Sequence, residues 1–137
     1  MQKIVFSLAG LANILIAVAH IVCLLWADRM FQLTGISPEM QRWAEVNPVI
    51  PYLITVAVAV VFFVFGLYAF SAAGVIKPLP LLKPLVIIIT ALYMLRGFGG
   101  LIIGNDSTLP VIYSVGALLI GALFLIGTES KWRRNTV

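Results

Sequence analysis

The sequence predicts an all-α membrane protein: an antiparallel up-down bundle of four transmembrane helices, with both termini cytoplasmic and a short amphipathic helix in the first outer loop. Three observations carry this. Of 137 residues, 62% are hydrophobic and 10% charged, with a mean hydropathy of +1.12, whereas a soluble domain is roughly half apolar and a quarter charged. Four apolar stretches, at 4–27, 52–75, 84–104 and 111–127, approach or exceed the roughly 20 residues that a bilayer crossing needs. The connectors 76–83 and 105–110 are short, so the helices they join must be antiparallel neighbours. The chain is then one domain over 1–137, with an outer loop at 28–51 and a basic cytoplasmic tail at 128–137.

The first span starts beside Lys3 and contains the tripeptide Ala17-Val18-Ala19, which resembles a signal-peptidase site. Its apolar run continues through Ile21, Val22, Leu24 and Leu25 to Trp26, so an uncleaved span is expected. Phe6, Gly10, Asn13, Ala17, His20, Leu24 and Ala27 recur at spacings of three and four. That face gathers the small and polar residues of the segment and is expected to point into the bundle. The helix is also expected to run on through Phe31 to a cap at Gly35.

In the outer loop, Ser37-Pro38 reads as an N-cap followed by proline at the first helical position. A helix over 38–46 would bring Met40, Trp43 and Val46 together with Glu45 beside the seam, and Asn47-Pro48 would end it. It either rests on the outer membrane surface or forms a lid over the mouth of the bundle, with Trp43 and Glu45 as the lid residues. The second span offers Thr55, Ala59, Phe62, Gly66 and Ala73 on one seam, and the fourth offers Ser114, Ala117, Gly121 and Thr128.

Lys3, Lys77, Lys83, Lys131, Arg133 and Arg134 fall on one side of the spans, Arg29 and Arg42 on the other. The positive-inside rule makes the first side cytoplasmic. The net charge of +4 is therefore an orientation signal, and no nucleic-acid partner is expected. One cysteine, Cys23, excludes an internal disulfide, a CxxC pair and a cysteine-based zinc site. No metal site or cofactor is expected from a single histidine without a carboxylate at depth. With no acid–base pair or nucleophile constellation to assemble, the chain reads as a non-enzyme.

Arg96 is the residue a bilayer should tolerate least. It lies well inside the third span, where an arginine costs about 2.5–3.5 kcal/mol on the insertion scale and normally faces the bundle interior or a wet cavity. Tyr93 is one turn away on the same face, and Gly97, Gly99, Gly100 and Gly104 thin the helix beyond it. No acid lies inside any span, so Arg96 needs an acid from the outer connectors (Asp28, Glu39, Glu45 or Asp106), backbone carbonyls, water or an anionic ligand: it either snorkels outward to pair with one of those acids or meets the ligand. His20, at similar depth, reads as a cross-bundle hydrogen-bonding residue or as a second contact to that ligand; Asn13 reads as interhelical glue.

Four blocks in the middle of the chain carry a resemblance: Pro51-Tyr52-Leu53-Ile54-Thr55, Gly66-Leu67-Tyr68-Ala69-Phe70-Ser71-Ala72-Ala73-Gly74, Leu79-Pro80-Leu81-Leu82 and Tyr93-Met94-Leu95-Arg96-Gly97. Over about residues 45–100 the chain resembles a family of small, mostly uncharacterised four-helix inner-membrane proteins of Gram-negative bacteria. The resemblance implies a role in envelope integrity, with links to the permeability barrier and division, and a protein partner in that machinery. It implies no catalytic residue.

The expectation for function is a non-enzymatic inner-membrane protein. An intrabundle cavity, open to the outer side, would bind a small amphipathic, anionic or lipid-like molecule. Arg96, His20, Tyr93, Asn13, Gly100 and Phe62 are its candidate ligand-binding residues, with the apolar tail near Phe62, Leu24 and Ile89. The alternatives are a scaffold or accessory subunit of a membrane complex, and a small transporter acting as an oligomer.

Overall fold

The structure, a computed structural model, describes residues 1–33, 37–103 and 108–133. Gly35, Gly104, Asp106 and Arg134, which figure in the expectations above, lie outside them. Every element among the described residues is helical: α1 (Gln2–Cys23), a 3₁₀ turn (Leu24–Trp26), α2 (Ala27–Leu33), α3 (Ser37–Val46), α4 (Ile50–Ala73), α5 (Leu82–Ile103), α6 (Thr108–Thr128) and a π-helical turn (Glu129–Arg133). Four helical stretches are long and apolar enough to cross a membrane, and only 22–28% of each crossing window is buried within the chain. Side chains such as Leu53, Leu95, Phe98 and Leu119 are more than half exposed. Water would not tolerate so much apolar surface, so this is a multi-pass membrane protein.

The chain divides into two compact units. One joins Met1–Ala12 to Phe65–Val137, and the other is Asn13–Val64.

In the first unit α5 and α6 form a tight antiparallel pair, and glycines set their separation. A Cβ at Gly97 would lie 2.5 Å from the Leu118 side chain and 3.1 Å from its backbone nitrogen. At Gly121 it would lie 3.1 Å from Tyr93 Cβ. Close backbone approach is how membrane helices gain packing energy when lipid is as apolar as leucine. Below this crossing runs a file of rings. Phe65 meets Tyr93 edge-on at 6.1 Å, Tyr93 stacks on Phe124 at 5.9 Å, and Phe6 stands edge-on to both Phe124 and Trp132 at 6.2 Å. Phe6 and Phe124 are wholly buried, and a Cβ at Gly127 would fall 2.8 Å from the Phe6 ring.

The end of α4 is closed by a Schellman motif. Val75 N–H donates to Phe70 O at 2.9 Å and Gly74 N–H to Ser71 O at 3.1 Å, with Gly74 at φ +75°; glycine is the residue that adopts this φ without strain. Lys131 Nζ donates to Ala72 O at 2.5 Å, so three of the last four carbonyls of α4 have partners. The connector is then held by Ser71, whose Oγ donates to Lys77 O and accepts from Leu79 N–H, and by Tyr68 Oη donating to Pro80 O at 3.1 Å. The residues of the second and third resemblance blocks are thus those that build this turn.

The helix that starts with α1 leads through the 3₁₀ turn into α2 as one 32-residue stretch, of which the residues from Asn13 onward belong to the second unit. At 1.5 Å per residue that is about 48 Å, against a hydrocarbon core of about 30 Å. That exceeds one crossing, and Asp28, Arg29 and Gln32 follow the apolar run that ends at Trp26. Residues 47–49 turn the chain from α3 into α4: Asn47 N–H donates to Trp43 O, Val49 N–H to Asn47 Oδ1 at 2.9 Å, and Ile50 N–H to Asn47 O.

Candidate functional site

The expected inward faces of α1 and α4 are the buried ones. Phe6, Gly10, Asn13, Ala17 and Ala27 are buried, with His20 and Leu24 half-buried; Thr55, Ala59, Gly66 and Ala73 are buried, with Phe62 half-buried. On α6, Ser114, Ala117 and Gly121 are buried. The span threonines do not signal cross-helix partners. Thr55, Thr90 and Thr128 each donate to the carbonyl four residues back, at 2.9, 2.7 and 2.7 Å, which satisfies the hydroxyl within its own helix.

The candidate ligand residues divide between the units. Arg96, Tyr93 and Gly100 belong to the first; His20, Asn13, Phe62, Trp43 and Glu45 belong to the second.

In the first unit, Tyr93 is buried in the ring file. Arg96 is exposed, where it was expected to be enclosed. The physical reason is its position one residue before Gly97, which occupies the contact with α6, so Arg96 flanks the seam. Its side chain runs toward the C-terminal end of α5: Nη1 lies 2.6 Å from where a Gly100 Cβ would stand. Helical side chains ordinarily lean the other way, so the guanidinium reaches toward the end of the span, as a snorkelling cation does. Gly100 makes the room for this, and the same empty Cβ position receives Ser114 Oγ at 2.1 Å. Ser114 is wholly buried. Arg96 sits seven residues from the end of α5, about 10 Å along the axis. Within its unit it has no hydrogen-bond or ion-pair partner among the described residues; the ion pair found there is Arg133 with Glu129, at 2.8 Å on the surface.

In the second unit, His20 Nδ1 lies 2.8 Å from Ile16 O. Only an N–H can donate to a carbonyl, so Nδ1 is the donor of this bond within its own helix. The ring lies 5.4 Å from Phe62, tilted by 33°. Asn13 is wholly buried, and among the described residues every buried side-chain nitrogen and oxygen has a hydrogen-bond partner. These are the marks of residues that pack a helix. Beside them a shallow apolar groove of about 320 Å³ runs between Ala17, Ile21 and Val22 on α1 and Ala59 and Phe63 on α4. On α3, Trp43 and Glu45 are exposed, and Met40, Gln41 and Ala44 line the cavity that α3 shares with α2 and the start of α4.

Sequence reasoning missed Ser114 as the neighbour of Gly100. The signal was there in the four-residue spacing of the small residues on α6, but which α5 glycine each would meet depends on the helix crossing. Comparison with protein-family models, with curated proteins and with solved structures finds no match to this chain.

Proposed function

We propose that this is a non-enzymatic inner-membrane protein, N-in and C-in, that binds the anionic head group of a lipid or lipid-like amphiphile at Arg96 and contributes in this way to envelope integrity. One observation carries the reading. Arg96 is an exposed guanidinium on a membrane-spanning helix, without a protein acceptor among the described residues of its unit, and Gly100 frees its path toward the end of the span. A permanent cation so placed is stabilised by an anion, and the planar guanidinium suits the paired oxygens of a phosphodiester. The envelope role rests on the family resemblance, and the orientation on the distribution of lysine and arginine.

Native mass spectrometry from phosphatidylglycerol-containing micelles tests the binding. Arg96→Ala should lose most of the retained anionic lipid and Arg96→Lys only part of it, since lysine keeps the charge without the fork. Equal lipid retention by Arg96→Ala and the unaltered chain would end the proposal.

A second reading, a scaffold or accessory subunit, is favoured by Gly99 and Gly116. A Cβ at either meets nothing within 4 Å, which leaves room for a partner helix against α5 and α6. Crosslinking in whole cells from Val115 and Phe98, beside these glycines, would show one stoichiometric partner if that reading holds.

A further inference from the structure

The second unit holds a cavity of about 390 Å³ where α2, α3 and the start of α4 meet. Its size lies within the range of small-molecule sites. We infer that this cleft binds an alkylammonium group, held by the Asp28 carboxylate and the faces of Phe31 and Tyr52. The inference concerns a different unit from Arg96 and stands or falls independently of the lipid-binding proposal.

The chemistry follows from the lining. Among the described residues Asp28 is the one charged residue that lines the cleft, alongside Phe31, Tyr52 and the amides of Gln32 and Gln41. A protein with a net charge of +4 thus presents a cleft whose only formal charge among the described residues is negative, which repels anions and attracts cations. Aromatic faces beside a carboxylate are the combination that recognises substituted ammonium ions, because the ring quadrupole attracts the cation while its methyl or methylene groups keep apolar contact. Among the described residues Asp28 has no ion-pair or hydrogen-bond partner that a ligand would need to displace.

The position of the cleft supports the same class. Asp28 and Gln32 lie one turn apart on α2, in the polar segment that follows the apolar run ending at Trp26. The opposite wall is stiff. Pro48 and Pro51 line the cavity, the 47–49 turn is held by three hydrogen bonds, and the buried Pro51 lends its carbonyl to Thr55 Oγ1. A pre-formed wall spends little ordering entropy on binding.

The shared chemistry could come from a free amine or from the ammonium of a lipid head group, and the experiment separates these sources. The full chain in nanodiscs of pure phosphatidylglycerol, which carries no ammonium, is titrated with choline and with 3,3-dimethylbutanol, its uncharged isostere. Choline should bind and the isostere should not. Asp28→Asn should weaken choline by about tenfold, the loss of one ion pair strengthened by ring faces. Tyr52→Leu should weaken it severalfold, while Tyr52→Phe, which keeps the ring, should bind like the unaltered chain. Asp28 is exposed, so its asparagine variant is expected to fold, and an unchanged melting temperature in the same nanodiscs checks that. If adding phosphatidylethanolamine displaces choline, the head group is the source; if choline binding is unaffected, the source is a free amine. Absence of choline binding, equal binding of the isostere, or an Asp28→Asn variant that binds as the unaltered chain does would overturn the inference.

Discussion

Gly100→Ala is the substitution for which the geometry makes the sharpest statement. The added methyl would stand 2.1 Å from Ser114 Oγ, about 1.3 Å inside the 3.4 Å at which ordinary van der Waals contact begins, and 2.6 Å from Arg96 Nη1. The guanidinium is the far end of a flexible chain and can swing aside, whereas Ser114 is wholly buried on α6 and cannot. Over-packing of this kind costs about 1–3 kcal/mol, and the gain in helix propensity from glycine to alanine returns at most about 1 kcal/mol. A net loss of about 2 kcal/mol is expected. Ser114→Ala alone removes a buried hydroxyl and its bond, which averages about 0.6 kcal/mol between membrane helices. In the double variant, once the flexible Arg96 guanidinium at 2.6 Å has swung aside, the nearest atom is the residue 114 Cβ at 3.2 Å, a contact that shifts of a few tenths of an ångström relieve. The pair should therefore cost about 1 kcal/mol together, some 1.5 kcal/mol less than additivity requires. Unfolding in mixed micelles by titration with dodecyl sulfate, followed by tryptophan fluorescence, measures all four proteins. Additivity within about 0.5 kcal/mol, or a Gly100→Ala variant as stable as the parent, would show that α5 and α6 do not cross as described.

The same assay separates the other glycines of α5: Gly97→Ala, whose methyl meets the Leu118 backbone nitrogen at 3.1 Å as well as its side chain, should destabilise by about 2–3 kcal/mol. Gly99→Ala, with nothing within 4 Å, should be neutral or slightly stabilising. Phe6→Ala removes a wholly buried ring with two edge-on aromatic neighbours and should cost about 2–4 kcal/mol. That falls below the roughly 3–5 typical of soluble cores, because lipid is as apolar as the site vacated. Lys131→Met, which removes the donor to Ala72 O, should lose about 1 kcal/mol, with Lys131→Arg recovering part of it; an unchanged midpoint would refute the cap.

What the sequence made legible is what periodicity and transfer energy control. The four crossings were readable because the cost of a charge in lipid clears long windows. The expected stretch at 84–104 and the observed α5 at Leu82–Ile103 differ by one or two residues. The buried face of α1 was readable because Gly10, Asn13 and Ala17 can serve only where helices approach. Arg96 was legible as an anomaly, and an outward snorkel toward the outer acids was one of its two readings; the room that lets it lean was not legible. Which way a long side chain leans depends on whether the next turn offers a gap, and the gap exists because Gly100 stands opposite Ser114. The cleft of the second unit was invisible for a related reason. Asp28 was noted only as an outer acid, and nothing local in the sequence shows that α3 brings Gln41 over α2. On α3 the reading selected Trp43 and Glu45 from helical spacing, but the side that lines the cleft is set by the 47–49 turn, which fixes how α3 returns to α4.

The first unit is stitched from segments far apart in the sequence. Phe6, five residues from the start, finds its rings on Phe124 and Trp132, and the α4 terminus receives its cation from Lys131. During synthesis, the first helix enters the membrane long before any of these partners has been translated, so its aromatic face must wait, solvated by lipid or held by the insertion machinery. The unit closes only once Phe124, Lys131 and Trp132 have left the ribosome. Premature termination even a few codons upstream of Lys131 would therefore release a chain with all four crossings in place and its ring file unfinished.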